Sequence, residues 1–89
     1  MAAFSIMAYW CYILYSTTCD RYYVGSCTDL ETRLGQHNSG RNKSTKGGEP
    51  WELKYQETFA DRPSAVRREL EIKSKKSRRY IEYLISSAG

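Results

Sequence analysis

Five residues have types and spacings that could do chemistry: Tyr12, Tyr23, Arg33, His37 and Glu69. Tyrosine packs well, but its hydroxyl must be satisfied wherever the ring is buried. Tyr12 and Tyr23 are therefore either plain core rings or phenols that handle protons. Arg33 and His37 stand four apart, so on a helix both reach one point. Glu69 shares the helical spacing of Ala65 and Ile72, which directs its carboxylate inward. An inward carboxylate costs free energy unless a cation meets it. Two readings stay open for that cation: Lys73, four residues on, or a bound metal ion.

The elements that must position these groups can be read around them. "WCYILYS", Trp10–Ser16, is aromatic and β-branched without polar alternation, which predicts a central strand covered on both faces. "TTCD" is a turn, and "RYYVGS" is a second strand close enough to pair with the first as an antiparallel hairpin. Side chains alternate along strands, so Tyr12 and Tyr23 come together on one face, with Gly25 expected to leave open space beside them. A helix opens at "TDLE", where Thr28 and Glu31 have capping-box spacing, and closes at Gly40. Leu30 and Leu34 form its core stripe, one position on from Arg33 and His37.

The segment Asn38–Pro50 has no large apolar residue and is expected to be a mobile loop, with Arg41, Lys43 and Lys46 available to grip phosphates. "WELKYQETF" alternates and predicts a third strand with Trp51, Leu53, Tyr55, Glu57 and Phe59 on one face. Glu57, on the apolar side, calls for a structural ion pair or hydrogen bond. A helix follows from near Pro63, with Val66 and Leu70 beside its packed stripe and Arg67, Arg68, Glu71, Ser74 and Lys75 on its solvated face. A last helix is capped by Ser77 and packs Ile81, Leu84 and Ile85 inward.

Net charge is +4 and unevenly spread: eight of the fourteen Lys and Arg residues lie between Arg62 and Arg79. That bias suggests an anionic partner, with nucleic acid the commonest, and adds Lys73, Lys75 and Lys76 to the candidate contacts. The three cysteines form no CxxC pair, which is read as a reduced, cytoplasmic protein without a zinc clip. The apolar start lacks a basic n-region and is too short to span a bilayer, which needs ~20 apolar residues, so no membrane association is expected. Residues 1–8 read as a lead-in and residues 9–86 as a single domain.

Taken together, these motifs resemble the GIY-YIG nucleases, most closely the small stand-alone bacterial type. The first motif stands here as Tyr12-Ile13-Leu14, with Cys11 in place of the leading glycine, and the second as Tyr23-Val24-Gly25. Arg33 follows in "DLETRLGQH", and "AVRRELEIK" carries Glu69 where the family has its metal-binding glutamate. Ser26 and Cys27 depart from the residues common after that glycine. The resemblance implies an α+β fold, sandwich-like, with a central three-stranded antiparallel sheet flanked by about three helices. It also implies Mg²⁺-dependent cleavage of DNA, as relatives perform in DNA repair.

Hydrolysing a phosphodiester needs an activated water and stabilised charge on the phosphoryl and leaving oxygens. Only Glu69 is both directed inward and cleft-facing, and one carboxylate plus waters suits a single Mg²⁺ (or Mn²⁺). Tyr12 is then expected to activate water, with Tyr23 as its positioning neighbour, though the two could exchange roles. A phenol titrates near pH ~10, and a cation ~5 Å away contributes about 3 kcal/mol at an effective dielectric of ~20. Arg33 and the metal would both help to lower it. Arg33 would also grip phosphate oxygens, and His37 would position water or phosphate. The expected partner is DNA, with duplex, branched, flapped and single-stranded forms all open, acted on by a monomer or weak homodimer. The alternatives are a non-catalytic nucleic-acid adaptor of the same fold and an RNA-directed nuclease.

Overall fold

The structure, a computed structural model, describes residues 8–88. Apart from Ala8, the lead-in expected over residues 1–8 lies outside them. Three strands, β1 (Tyr9–Ser16), β2 (Arg21–Cys27) and β3 (Trp51–Phe59), form an antiparallel sheet in the order β2-β1-β3. The helices are α1 (Leu30–Asn38), α2 (Arg62–Ser74) and α3 (Arg78–Ala88). This is the α+β architecture that the motifs imply. Central β1 is buried without a break from Cys11 to Leu14, because helices cover both of its faces.

Each face carries its own apolar cluster. On one, Cys11, Ile13 and Val24 pack against Ile72 of α2 and Leu84 of α3. On the other, Tyr12, Leu14, Cys27 and Trp51 pack against Leu30 and Leu34 of α1. Strand β3 contributes to both. Ile13 pairs with Tyr55, but the next residue, Leu14, pairs with Leu53, so Lys54 is an extra residue at a bulge. The bulge reverses which face each side chain takes. Tyr55 and Phe59 join the α2/α3 side, while Trp51 joins the α1 side. The single-face alternation expected over Trp51–Phe59 therefore holds only within each half.

Three further expectations are corrected by local chemistry. Asp29, not Thr28, caps α1: its carboxylate accepts from the Thr32 amide at 3.1 Å and from the Thr32 hydroxyl at 2.8 Å. A carboxylate also suits the positive end of the helix dipole. On α2, Leu70 is 58% exposed, whereas Arg68, expected in solvent, is folded inward. Arg68 Nε donates to both Glu57 oxygens, at 3.2 and 3.0 Å, and its Nη1 reaches Glu71 at 2.6 Å and Tyr80 at 3.2 Å. The half-buried Glu57 carboxylate needs a cation, so α2 presents Ala65, Arg68, Glu69 and Ile72 rather than Leu70. Glu57 thus has the structural ion pair that its position calls for, and Glu71 is the surface partner expected of it.

The loop from Ser39 to Pro50 is folded rather than structureless. The Ser16 hydroxyl donates to the Gly48 carbonyl, and the Thr18 hydroxyl to the Glu49 carbonyl at 2.8 Å. Asn38 holds the other end, donating to the Trp51 carbonyl at 3.1 Å and accepting from the Trp51 amide. Gly48 is closed over by the Trp51 indole: a β-carbon there would meet the ring at 2.6 Å. All three cysteines are free thiols. Among the described residues, no helix is long and apolar enough to cross a membrane.

Candidate active site

The β1–β2 register pairs Tyr12 with Gly25 and Leu14 with Tyr23, which puts both phenols on the α1 face. Their ring centroids are 6.3 Å apart. The space over Gly25 is not open, as the glycine suggests, but filled by Tyr12 itself. A β-carbon at Gly25 would lie 2.6 Å from Tyr12 Oη and 2.7 Å from Cζ. A long ring leaning from β1 across its neighbour requires a residue there with no side chain.

Helix α1 closes this face. Leu30 and Leu34 set its depth, and the next turn delivers His37, which is fully buried. His37 Nε2 lies 2.9 Å from Tyr12 Oη, and Nδ1 lies 2.8 Å from Thr45 Oγ1. The imidazole also packs on Tyr23, with centroids 4.8 Å apart. Both ring nitrogens are therefore engaged inside the protein, so the direct positioning of water or phosphate expected of His37 from sequence is not what this arrangement offers. His37 meets the substrate side only through Tyr12.

Electrostatics follow from this burial. Desolvation pushes the Tyr12 phenol well above its usual range, with the Tyr23 phenol adding to it; Arg33 acts in the opposite sense but is outweighed. The expectation that a nearby cation prepares a phenolate is thus not met by Arg33 alone. His37 is moved the other way: burial first, then the charge of Arg33, lower its pKa from 6.5, so the ring is neutral near pH 7. Neutral phenol and neutral imidazole form one hydrogen-bonded pair beside a half-buried guanidinium.

Glu69 does not share this face. It projects from α2 on the opposite layer, where the Ser26 hydroxyl donates to Oε1 at 2.7 Å and Lys73 Nζ meets Oε2 at 2.5 Å. Because β2 is an edge strand, the two layers approach each other around it. Lys73 Nζ also lies 6.0 Å from the Tyr23 ring centroid. The acid and the phenols therefore flank Gly25 and Ser26 from the two sides of the edge strand, and Tyr23 and Lys73 line one groove beside it.

Among the described residues, no three His, Cys, Asp or Glu side chains gather to hold an ion. A single hard carboxylate, 17% exposed and already holding an ammonium, fits one mostly hydrated divalent cation once Lys73 moves aside. Glu69 is the only one of the five candidates whose side chain has that chemistry.

The candidate nucleic-acid residues fall into separate places. Arg41, Lys43 and Lys46 are exposed on the loop after α1. Lys46 and Arg21 line one recess, and Arg21 continues into a groove of about 390 Å³ with Lys73, Lys76 and Arg78. Basic side chains thus follow the β2 edge, with Asp20 in the same groove and paired to Arg78 at 2.6 Å. Lys75 lies outside it, 5.5 Å above the Tyr80 ring. Arg21, which joins the two ends, was not a candidate by sequence; its place at the first position of the edge strand is the signal that could have found it. Thr45 and Ser26 were missed too: Thr45 is a small hydroxyl in a polar loop, and Ser26 follows the Tyr23-Val24-Gly25 motif without any spacing that ties it to Glu69.

The GIY-YIG catalytic domain family matches residues 8–81. A UPF0213 protein of Staphylococcus haemolyticus is 45% identical over 53 residues, covering 58% of this chain and 65% of its own. A UPF0213 protein of Halobacterium salinarum is 42% identical over 53 residues, covering 58% and 69%. The chain thus spans about two thirds of the length of these curated relatives. The solution NMR structure of a UPF0213 protein from Bacillus halodurans superposes with a TM-score of 0.59 at 36% identity, over 93% of this chain and 87% of that one.

Proposed function

The chain belongs to the GIY-YIG family, whose members are generally endonucleases that use divalent metal ions, and we propose that it hydrolyses DNA phosphodiester bonds with a single Mg²⁺ or Mn²⁺. The observation that carries this reading is the buried 2.9 Å contact between Tyr12 Oη and His37 Nε2. A neutral phenol is a poor base by itself. With a neutral imidazole behind it, Tyr12 can accept a proton from water while passing its own to His37. The base is then the pair, which replaces the cation-lowered phenolate expected from sequence.

Arg33 binds non-bridging phosphate oxygens, since its planar fork suits them. Tyr23, half-buried over the imidazole, orients the phosphate. Glu69 holds the ion, and a bound divalent cation would neutralise charge developing on the leaving oxygen. The band formed by Lys46, Arg21, Lys73 and Lys76 supports a polyanion crossing the β2 edge, with Arg41 and Lys43 as outlying contacts. Branched, flapped or single-stranded DNA fits an exposed edge better than a deep channel would. Such a substrate would put the protein in repair-type processing in the cytoplasm, as a monomer or weak homodimer.

One observation favours a second reading. Both Glu69 oxygens are already engaged, by Ser26 and Lys73. A fold closed in that way would serve as a non-catalytic nucleic-acid adaptor. Incubating the full chain with labelled DNA and RNA duplexes, flaps, junctions and single strands, with and without Mg²⁺, separates the readings. DNA cleavage that requires Mg²⁺ and disappears in Glu69→Gln, while binding persists, is the expected result. Unchanged cleavage by Glu69→Gln would remove that residue as the metal ligand. Binding without turnover on every structure would leave the adaptor, and cleavage confined to RNA would change the substrate class.

A further inference from the structure

We propose that Thr45 is a positioning residue for His37, holding its ring in the Nδ1–H tautomer so that Nε2 stays open to accept from Tyr12. The consequence for turnover rests on the nuclease reading above; the tautomer itself does not.

The argument begins with the Thr45 main chain, which is held on both sides. Its amide donates to the Asn42 carbonyl at 3.1 Å, and its carbonyl accepts from the Gly48 amide at 3.1 Å and from Trp51 Nε1 at 3.0 Å. The direction of its side chain is therefore set before any imidazole arrives. Thr45 is 1% exposed, so its hydroxyl has no bulk water to turn towards. That hydroxyl donates to the Asn42 carbonyl at 3.4 Å, which leaves its lone pairs facing His37 Nδ1 at 2.8 Å. A lone pair there asks for a proton on Nδ1.

The other side of the ring gives the same answer. Tyr12 Oη is buried against His37 Nε2. A phenol so enclosed needs an acceptor for its proton. With Nδ1–H, every proton in the chain has an acceptor: Tyr12 O–H to Nε2, Nδ1–H to Thr45 Oγ1, and Thr45 O–H to the Asn42 carbonyl. The opposite tautomer would set Nε2–H against Tyr12 and deprive the phenol of that acceptor. In the proton transfer, water loses a proton to Tyr12 Oη, Tyr12 gives its own to Nε2, and the resulting imidazolium keeps Nδ1–H on Thr45. Thr45 lies between Lys43 and Lys46 in sequence, so the loop expected to grip phosphates also sets the protonation pattern behind the site.

The test is direct because the chain contains one histidine. Long-range ¹H–¹⁵N correlation on the full-length ¹⁵N-labelled chain at neutral pH reads His37 alone. The wild type and Thr45→Ser are expected to have protonated Nδ1 and bare Nε2, and Thr45→Val is expected to drift towards Nε2–H or a mixture. On the nuclease reading, Thr45→Val also lowers kcat on the order of tenfold or more with KM unchanged, and Thr45→Ser restores it. Wild-type Nε2–H, or undiminished Nδ1–H in Thr45→Val, would overturn the assignment. Should the valine variant not fold, Nε2–H in the wild-type or serine spectrum still overturns it, and Nδ1–H in both supports it. The expected tautomer in a chain that cuts nothing supports Thr45 and removes only the nuclease reading.

Discussion

Tyr12 and His37, 25 residues apart in sequence, meet at 2.9 Å with 1% and 0% of their surfaces exposed. Neither can be replaced without leaving the other's polar atom short of its partner. If the pair is the base for hydrolysis, Tyr12→Phe and His37→Gln should each slow single-turnover DNA cleavage by on the order of 10²-fold or more. Tyr15→Phe is the control. Its hydroxyl is tied to Asp20 at 2.6 Å in solvent, so its rate should stay near wild type. Equal losses in the three variants, measured on one labelled substrate, would remove the special role of the buried pair.

Gly25 tests the same site from the backbone side. An alanine there would bring its methyl 2.6 Å from Tyr12 Oη and 3.0 Å from Tyr23 Cε2. Tyr12 cannot retreat, because His37 and the sheet enclose it. Overpacking of this kind costs about 1–3 kcal/mol, which urea unfolding would register as a lower midpoint. Cleavage per folded molecule should fall as well. A stable, fully active Gly25→Ala would mean that the phenol is free to move.

The pH dependence of stability has a definite sign. His37 has a folded-state pKa below its ordinary 6.5, so the unfolded chain binds the proton more readily. The resulting stabilisation is complete above about pH 6.5 and is lost as pH falls below it towards the lower, folded-state value. Asp20, Asp29 and Asp61 are lowered from 3.8 and contribute a separate loss at more acidic pH. Urea midpoints recorded across pH 5 to 8 should therefore decline on the acid side in the wild type. His37→Gln should flatten that decline, and an identical slope in the variant would assign it to other groups.

Arg68 supplies the contrast of a charge that holds the fold without serving the site. Arg68→Ala leaves the half-buried Glu57 carboxylate without its guanidinium. The expected cost is about 1–3 kcal/mol, seen by thermal or urea unfolding. Cleavage by the fraction that remains folded should change little. A large kcat loss in a stable Arg68→Ala chain would place that arginine in the machinery after all.

What the sequence made legible follows the strength of local rules. Period-two patterning put both phenols on one face, because hairpin register leaves little choice once the turn is short. Glu57 announced its ion pair because a carboxylate in an apolar row has few alternatives. The bulge at Lys54 was hidden, since one extra residue changes no composition and barely disturbs alternation. The burial of His37 was hidden as well: helical spacing gives a direction, not a depth, and the depth comes from a loop with no apolar residue large enough to mark it. Glu69 was rightly read as inward, yet inward on α2 means the other layer of the sheet, which only the topology reveals.

The bulge in β3 sets the size of the unit that could be moved to another protein. Trp51 reaches the Thr45 carbonyl only because Lys54 reverses the phase of the strand between it and Tyr55. Grafting residues 39–51 onto a strand without that bulge would point the Trp51 indole at the wrong layer. The smallest transferable cassette runs from the imidazole through the extra lysine, residues 37–54, and deleting that lysine would turn the plug of the loop into an aromatic stranded beneath α2 and α3.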